Sequence, residues 1–242
     1  MEALKLWAIV GGTSTTIAAV GAATPWRPAQ APLTTPWTAQ VTAENAWPEH
    51  PRPMMTRDEQ SWQSLNGIWE IDYEASPDAL DQPAPRTTLP HQILVPFPLE
   101  SALGGLRVQA PNYTTIYRRV FPSILPQCGT GSRRLLHFEK VDWNTTVWVN
   151  GAKVCSHTGG YDPFTCPLPS ASTSDEEAAG APPVEIVVGV VDYTEKNPNH
   201  WQPEGKQVRS AFTQPSGMMY TGSSGIWDRC GSLALSPLPP IF

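Results

Sequence analysis

The chain has 242 residues and a formal net charge of −6, and its Lys and Arg residues do not cluster, so nothing in it reads as a nucleic-acid surface. No apolar run reaches the ~18 residues of a membrane-spanning helix. Its 27 prolines and 18 glycines break helices and favour turns, which predicts a loop-rich, all-β protein of one large domain or two small ones. Ten tryptophans are many for this length; in a β-protein most belong in the core or on sheet faces, with a minority free as platforms for sugar rings.

Residues 1–23 read as a secretory signal. Lys5 precedes the apolar Leu6-Trp7-Ala8-Ile9-Val10, and Val20 and Ala22 suit a small-residue cleavage site. Glu2 and the polar Thr13–Thr16 stretch argue instead for a disordered start. The sequons Asn112-Tyr113-Thr114 and Asn144-Thr145-Thr146 point the same way as a signal, since Asn112 and Asn144 become glycan acceptors in a secreted chain. A secreted, extracellular location is therefore expected. Residues 24–59 lack any period and are rich in Pro, Thr and Ala, the pattern of an extended arm. Trp26, Trp37 and Trp47 are unlike a disordered tail and predict that this arm lies against a surface.

The β-domain is expected over residues 60–227. Trp69 to Tyr73 alternates large apolar with acidic residues, the pattern of a half-exposed strand. Ile93-Leu94-Val95, Ile116–Phe121 and Arg134–Val141 follow as strands between Pro-punctuated loops. Thr146-Val147-Trp148-Val149, then Asn150-Gly151, then Ala152–His157 is a hairpin closed by a type I′ turn, because Asn-Gly tolerates the positive φ angles that turn requires. Gly159-Gly160-Tyr161-Asp162-Pro163-Phe164 ends it in a sharp bend. Val184–Val191 is the longest β-run and apolar at nearly every position, as a central strand buried on both faces would be. Strands at this spacing indicate a β-sandwich. Cys128, Cys155, Cys166 and Cys230 show no CxxC spacing, which argues against a zinc or thioredoxin-like motif. Cys155 and Cys166 flank the Gly-Gly-Tyr loop and are the candidate disulfide, with two small buried thiols as the alternative.

The run VDWNTTVWVNGAKVCSHTGGYDPF resembles the N-terminal domain of glycoside hydrolase family 2, which includes β-galactosidases, β-glucuronidases and β-mannosidases. Further pieces fall in the family's order: Leu65-Asn66-Gly67-Ile68-Trp69, Val95 to Ser101, Tyr117 to Phe121, Gly205-Lys206-Gln207 and Ser224-Gly225-Ile226-Trp227. The resemblance covers roughly residues 60–227 and implies a jelly-roll, galactose-binding-like β-sandwich. It also makes Pro32 to Trp37 look like the lead-in segment that packs on neighbouring domains. Two departures stand out. Glu204 precedes Gly-Lys-Gln where a basic residue is expected. Residues 228–242, from Asp228-Arg229-Cys230-Gly231 into a Pro-rich stretch, read as an irregular tail. On this reading the sandwich lacks its last strand, and its open edge should promote association.

The family's chemistry is retaining hydrolysis by two carboxylates about 5–5.5 Å apart. In that family both stand on a barrel, which no part of this chain matches, so the resemblance assigns no catalytic residue here. Within the chain Glu139 and Asp142 bracket a strand end, while Asp162 and Asp192 sit in turns, where a carboxylate usually caps backbone. His157 has Ser156 beside it on a strand, facing the other way, so no triad forms, and no GxSxG elbow is present. No metal-ligand grouping and no cofactor motif is found. For sugar contact the resemblance points to Asp192, at the end of the longest strand, with Trp201, Lys206 and Gln207 in the loop after it. The expected function is a non-catalytic β-sandwich domain of a family 2 glycoside hydrolase that shapes a sugar site, inactive alone. Its expected partners are carbohydrate or a catalytic domain. The alternative is a free-standing carbohydrate-binding module, which a row of exposed tryptophans on one sheet face would favour.

Overall fold

The computed structural model describes residues 25–47, 62–82, 84, 87–122, 133–168, 183–194, 201–214 and 216–235. The expected signal segment, residues 1–23, lies outside them.

Two antiparallel sheets pack face to face. One runs β1 (Trp62–Ser64), β12 (Cys230–Leu235), β5 (Arg133–Phe138) and β9 (Phe164–Pro167). The other runs β3 (His91–Val95), β2 (Gly67–Asp72), β4 (Thr114–Phe121), β10 (Val184–Val191), β7 (Asn144–Val149) and β8 (Ala152–Thr158). With β2 and β3 set aside, the first strand pairs the last in one sheet and β4-β10-β7-β8 faces it in the other, the order of a jelly roll. A two-residue pair, β6 (Val141–Asp142) with β11 (Gly225–Ile226), bridges one end. The remaining regular structure among the described residues is four short 3-10 turns.

The sheets close on a core that includes Leu65, Trp69, Tyr117, Leu136, Phe138, Val147, Val188 and Ile226. β2 contributes alternate residues, Trp69 and Ile71 inward, Glu70 and Asp72 partly exposed. β10 does not alternate because it is covered twice. Ile186, Val188 and Val190 face the main core, and Val187 faces a second cluster with Ala75, Leu89, Ile116 and Trp148. A 3-10 turn, Pro77–Asp81, brings Leu80 over this outer face. Gly189 is the residue that admits it, because a Cβ there would overlap Leu80 and Trp148. The β7–β8 hairpin turns on Asn150 (φ 50°) and Gly151 (φ 82°), as the Asn-Gly dipeptide requires.

Two expectations need correction. Residues 230–235 are not irregular tail: they form β12, paired with β1 and β5. The sandwich is therefore closed by its own last strand, and the expected open edge, with the association it would promote, has no basis at that position. β12 escapes sequence reading because Gly231, Ser232 and Ala234 lack bulk and blur the alternation. Gly231 is small for a reason, since a Cβ would collide with the Trp62 ring on β1. The arm over 25–47 does pack on the sandwich. The Trp26 indole donates to the carbonyls of Leu103 (3.2 Å) and Gly104 (3.1 Å), and Ala29 N donates to Ala102 O (2.8 Å). Ala46 is buried, while Leu33 and Trp37 stay exposed.

Candidate functional site: a buried acidic cluster at one end of the sandwich

Three carboxyl side chains converge where β10 leaves the sheet. Glu100 comes from the loop after β3, Asp142 from β6 and Asp192 from the end of β10. Their residues are 8%, 1% and 4% exposed, so water screens them little. Glu100 Oε2 accepts from Ser224 N (3.0 Å) and Oε1 from the Ser224 hydroxyl (2.7 Å), tying the β3 loop to the entry of β11. The Asp192 carboxylate accepts from the Thr194 hydroxyl (2.7 and 2.8 Å) and from Gln202 Nε2 (2.6 Å). Gln202 Oε1 in turn accepts from Tyr193 N (2.8 Å). Asp142 packs flat on Gly160, where a Cβ would meet both of its oxygens, and Asp142 Oδ1 has no hydrogen-bond partner. The fully buried Tyr117 hydroxyl abuts Gly225 in the same way.

This crowding of like charge away from water favours the protonated forms of Glu100 and Asp142. Burial pushes Glu100 up to about 7, with the Asp192 charge adding to it and the Ser224 hydrogen bonds opposing. Burial and then the charges of Asp192 and Glu100 push Asp142 up to about 8, against a hydrogen bond from Gln207. Tyr117 is raised by burial and by the same two charges, those of Glu100 and Asp192. At neutral pH the Glu100 and Asp142 carboxyls are therefore able to donate as well as accept, which suits recognition of hydroxyl groups.

The residues expected to meet sugar divide into two pairs. Asp192 and Gln207 enter the cluster. Gln207 Nε2 donates to the Tyr161 hydroxyl (2.8 Å), and its Oε1 accepts from Ser223 N (2.7 Å). Trp201 and Lys206 do not enter it. Trp201 is 94% exposed and Lys206 is exposed, each beside a residue that is anchored: Gln202 on Asp192 and Gln207 on Tyr161. Glu100 and the depth of Asp142 were missed. The Val95–Ser101 piece held the signal for Glu100, and nothing local marks Asp142 as the most buried of the three.

His157 stacks on Phe164 (centroids 4.4 Å apart) and lies 3.3 Å from Asp162, a surface pair remote in composition from any triad. Glu139 is buried. Cys155 on β8 and Cys166 on β9 are joined as a disulfide, with Cα atoms 5.6 Å apart, linking an edge strand of each sheet. Asn112 and Asn144 are both exposed. A cavity of about 730 Å³ lies between the arm and the sandwich; Pro28, Leu33, Glu100, Arg107, Phe212 and Thr221 are among its walls. Among the described residues no three or more His, Cys, Asp or Glu are arranged to hold a metal ion, and no helix is long and apolar enough to cross a membrane.

The class defined so far is a closed antiparallel β-sandwich with an acidic polar end. No family model matches the chain. A β-glucuronidase of Paenibacillus borealis is 28% identical over 131 residues, which cover 52% of this chain and 21% of that enzyme. A β-glucuronidase from Ruminococcus gnavus in complex with uronic deoxynojirimycin is 17% identical, covering 74% of this chain and 30% of that one, with a TM-score of 0.47. A glycosyl hydrolase family 2 member from Bacteroides cellulosilyticus is 20% identical over 74% of this chain and 21% of that one, with a TM-score of 0.44. The chain resembles the N-terminal domain of family 2 glycoside hydrolases and spans about a fifth of the curated relative's length.

Proposed function

We propose that this chain is the non-catalytic N-terminal β-sandwich of a family 2 glycoside hydrolase, and that its acidic end shapes a sugar site shared with a catalytic domain. The observation that carries this reading is the convergence of Asp192 and Gln207, from the loop region the family resemblance points to, with two further buried acids. Asp192, Gln207, Trp201 and Lys206 are the sugar-facing set on this reading. Asp192 and Gln207 supply fixed polar groups, and Trp201 supplies an exposed aromatic face. The fully exposed loop position of Trp201 fits a rim rather than a packed core.

The test is a panel of chromogenic β-glycosides: galactoside, glucuronide, mannoside and glucoside. The purified chain is expected to give no turnover above buffer. Turnover abolished by changing a carboxylate of this chain would overturn the reading. The free-standing carbohydrate-binding module is the weaker alternative. Trp37, Trp47 and Trp201, the exposed tryptophans among the described residues, lie in the arm and a loop, not in a row on a sheet face. Retention of the chain on insoluble polysaccharide would favour that module. Secretion, with glycans on Asn112 and Asn144, belongs to the same proposal and is supported by the exposure of both side chains and by the Cys155–Cys166 pairing. A mobility shift on enzymatic deglycosylation of the secreted chain checks it.

A further inference from the structure

The cavity between the arm and the sandwich has walls built from both, and none of Asp192, Trp201, Lys206 and Gln207 is among them. Its floor is the 3-10 turn Ala102–Gly104, capped by Ser101, whose hydroxyl accepts from Leu103 N (3.2 Å). The arm is pinned to that turn at Trp26 and Ala29, and Trp26 N also donates to Gln92 Oε1 (2.9 Å). Gly105 (φ 101°) allows this approach, because a Cβ there would overlap the Trp26 ring. Past Ala29 the arm bonds to itself: Thr35 N donates to the Thr38 hydroxyl (2.9 Å) and Thr38 N to Thr35 O (3.1 Å). The facing wall is the turn Arg209–Phe212, where the Thr221 hydroxyl donates to Ala211 O (3.3 Å). The space left between, about 730 Å³, falls within the roughly 300–1,000 Å³ of small-molecule sites.

Two side chains of this space lack the partner their chemistry calls for. Leu33 lines it and is 88% exposed, an apolar group left in water. Arg107 lines it too, and among the described residues its guanidinium meets only the Phe212 ring, 5.5 Å from the centroid. Arg118, Arg119 and Arg209 all donate hydrogen bonds, which sets Arg107 apart. Its backbone is left-handed (φ 51°), a conformation uncommon outside glycine and met at ligand clamps. Glu100 is the other charged residue of the wall, but each of its carboxyl oxygens accepts from Ser224, and no ion pair joins it to Arg107 among the described residues. A guanidinium fork matches a carboxylate with two parallel hydrogen bonds. Leu33, Leu103 and Phe212 offer apolar surface beside it on which a ring can be buried.

We propose that this cavity binds a small organic carboxylate with an aromatic or alicyclic body, its carboxylate on Arg107 and its body between Leu33, Leu103 and Phe212. An inorganic anion leaves the apolar walls wet, and a neutral hydrocarbon leaves Arg107 without an acceptor. The site is separate from the sugar-facing set and does not depend on the role proposed for that set.

Calorimetric titration of the whole chain at pH 7 with 2-naphthoate, 2-naphthamide and acetate tests this. 2-Naphthoate should bind at one site, at least about tenfold tighter than the amide, the margin of a charge-assisted hydrogen-bonded pair over a neutral one. Acetate, with no body to bury, should give no saturable heat over the same range. Arg107→Asn, chosen because asparagine accepts the left-handed backbone, should abolish the preference for the acid and leave binding of the amide unchanged. In the parent, 2-naphthoate should slow hydrogen exchange over residues 28–38, which places the ligand under the arm. Should the variant not fold, the acid-over-amide preference of the parent and the exchange of residues 28–38 together decide the question. Equal affinity for acid and amide, a preference that survives in Arg107→Asn, or unchanged exchange over residues 28–38 overturns the proposal.

Discussion

The sandwich handles its carboxylates in two opposite ways. On the outer face of the six-stranded sheet, Arg118 on β4 lies between Glu70 on β2 (2.7 Å) and Glu185 on β10 (2.6 Å). At the end of the same sheet, Glu100, Asp142 and Asp192 share a site in which the charges acting on Asp142 have its own sign. The first arrangement needs its carboxylates ionised and holds them by a guanidinium fork. The second raises Glu100 and Asp142 toward neutrality by burial and by the Asp192 charge. The contrast teaches that register fixes the sheet-face ladder, whereas loop closure fixes the end cluster.

Removing the cation should break the first region most severely. Arg118→Leu leaves Glu70 and Glu185 facing each other across β4 with no guanidinium between them. Loss of one partner from a buried pair costs about 3–5 kcal/mol; the partial exposure of these carboxylates, 25% and 15%, puts the expected loss near about 3 kcal/mol at neutral pH. Urea denaturation measures it, and a loss under about 1 kcal/mol would place this ladder with ordinary surface pairs.

The second region should respond to pH with the opposite sign from an ion pair. Glu100 and Asp142 have raised values in the folded state, so the stability they contribute is present below the ordinary carboxylate range and is lost as pH rises through about 7 and about 8. Stability of the unaltered chain should therefore decline between about pH 4 and about pH 8. Asp142→Asn, neutral throughout, should be more stable than the parent at pH 9 by on the order of 1–2 kcal/mol and no better at pH 4. Coincident denaturation midpoints at both pH values would show that Asp142 ionises without cost.

The strands were readable because their causes are local. Alternation marks β2, the Asn150-Gly151 pair marks the β7–β8 turn, and the unbroken apolar run of β10 marks a strand covered on both faces. β12 was not readable, because the reason for its small residues, the Trp62 ring against Gly231, lies on a strand at the other end of the sequence. The site follows the same rule. Asp192 and Gln207 belong to one stretch and were found together. Glu100 and Asp142 join them only through tertiary closure, and no pattern around either residue announces its depth. Trp201 and Lys206 share the stretch yet face solvent, since a loop without strand periodicity does not fix which side chains turn inward.

Within the cluster, Glu100→Gln separates hydrogen bonding from charge. Glu100 receives two hydrogen bonds from Ser224, one on each oxygen. Glutamine, like the neutral acid, offers one carbonyl acceptor and one donor, so below pH 6, where the parent is largely protonated, the variant should match it to within about 1 kcal/mol. At alkaline pH the variant should be the more stable of the two, because the amide adds no charge beside Asp192. A deficit that grows with pH would mean that the carboxylate, and not the acid, is the stabilising form.

The smallest effect is expected at Trp201, and its smallness is informative. The residue is 94% exposed, so Trp201→Ala removes little packing, and surface changes of this kind stay within about 0.5 kcal/mol. The Asp192–Gln202 bond beside it is made by a different side chain and should survive, leaving the pH response of the cluster unchanged. Thermal unfolding and the pH profile together check this. Coincidence of both with the parent would show that the indole adds nothing to the packing of the cluster. A loss above about 1 kcal/mol, or a shifted pH response, would mean that the indole packs on the cluster and helps exclude its water, which would remove Trp201 from the sugar-facing set.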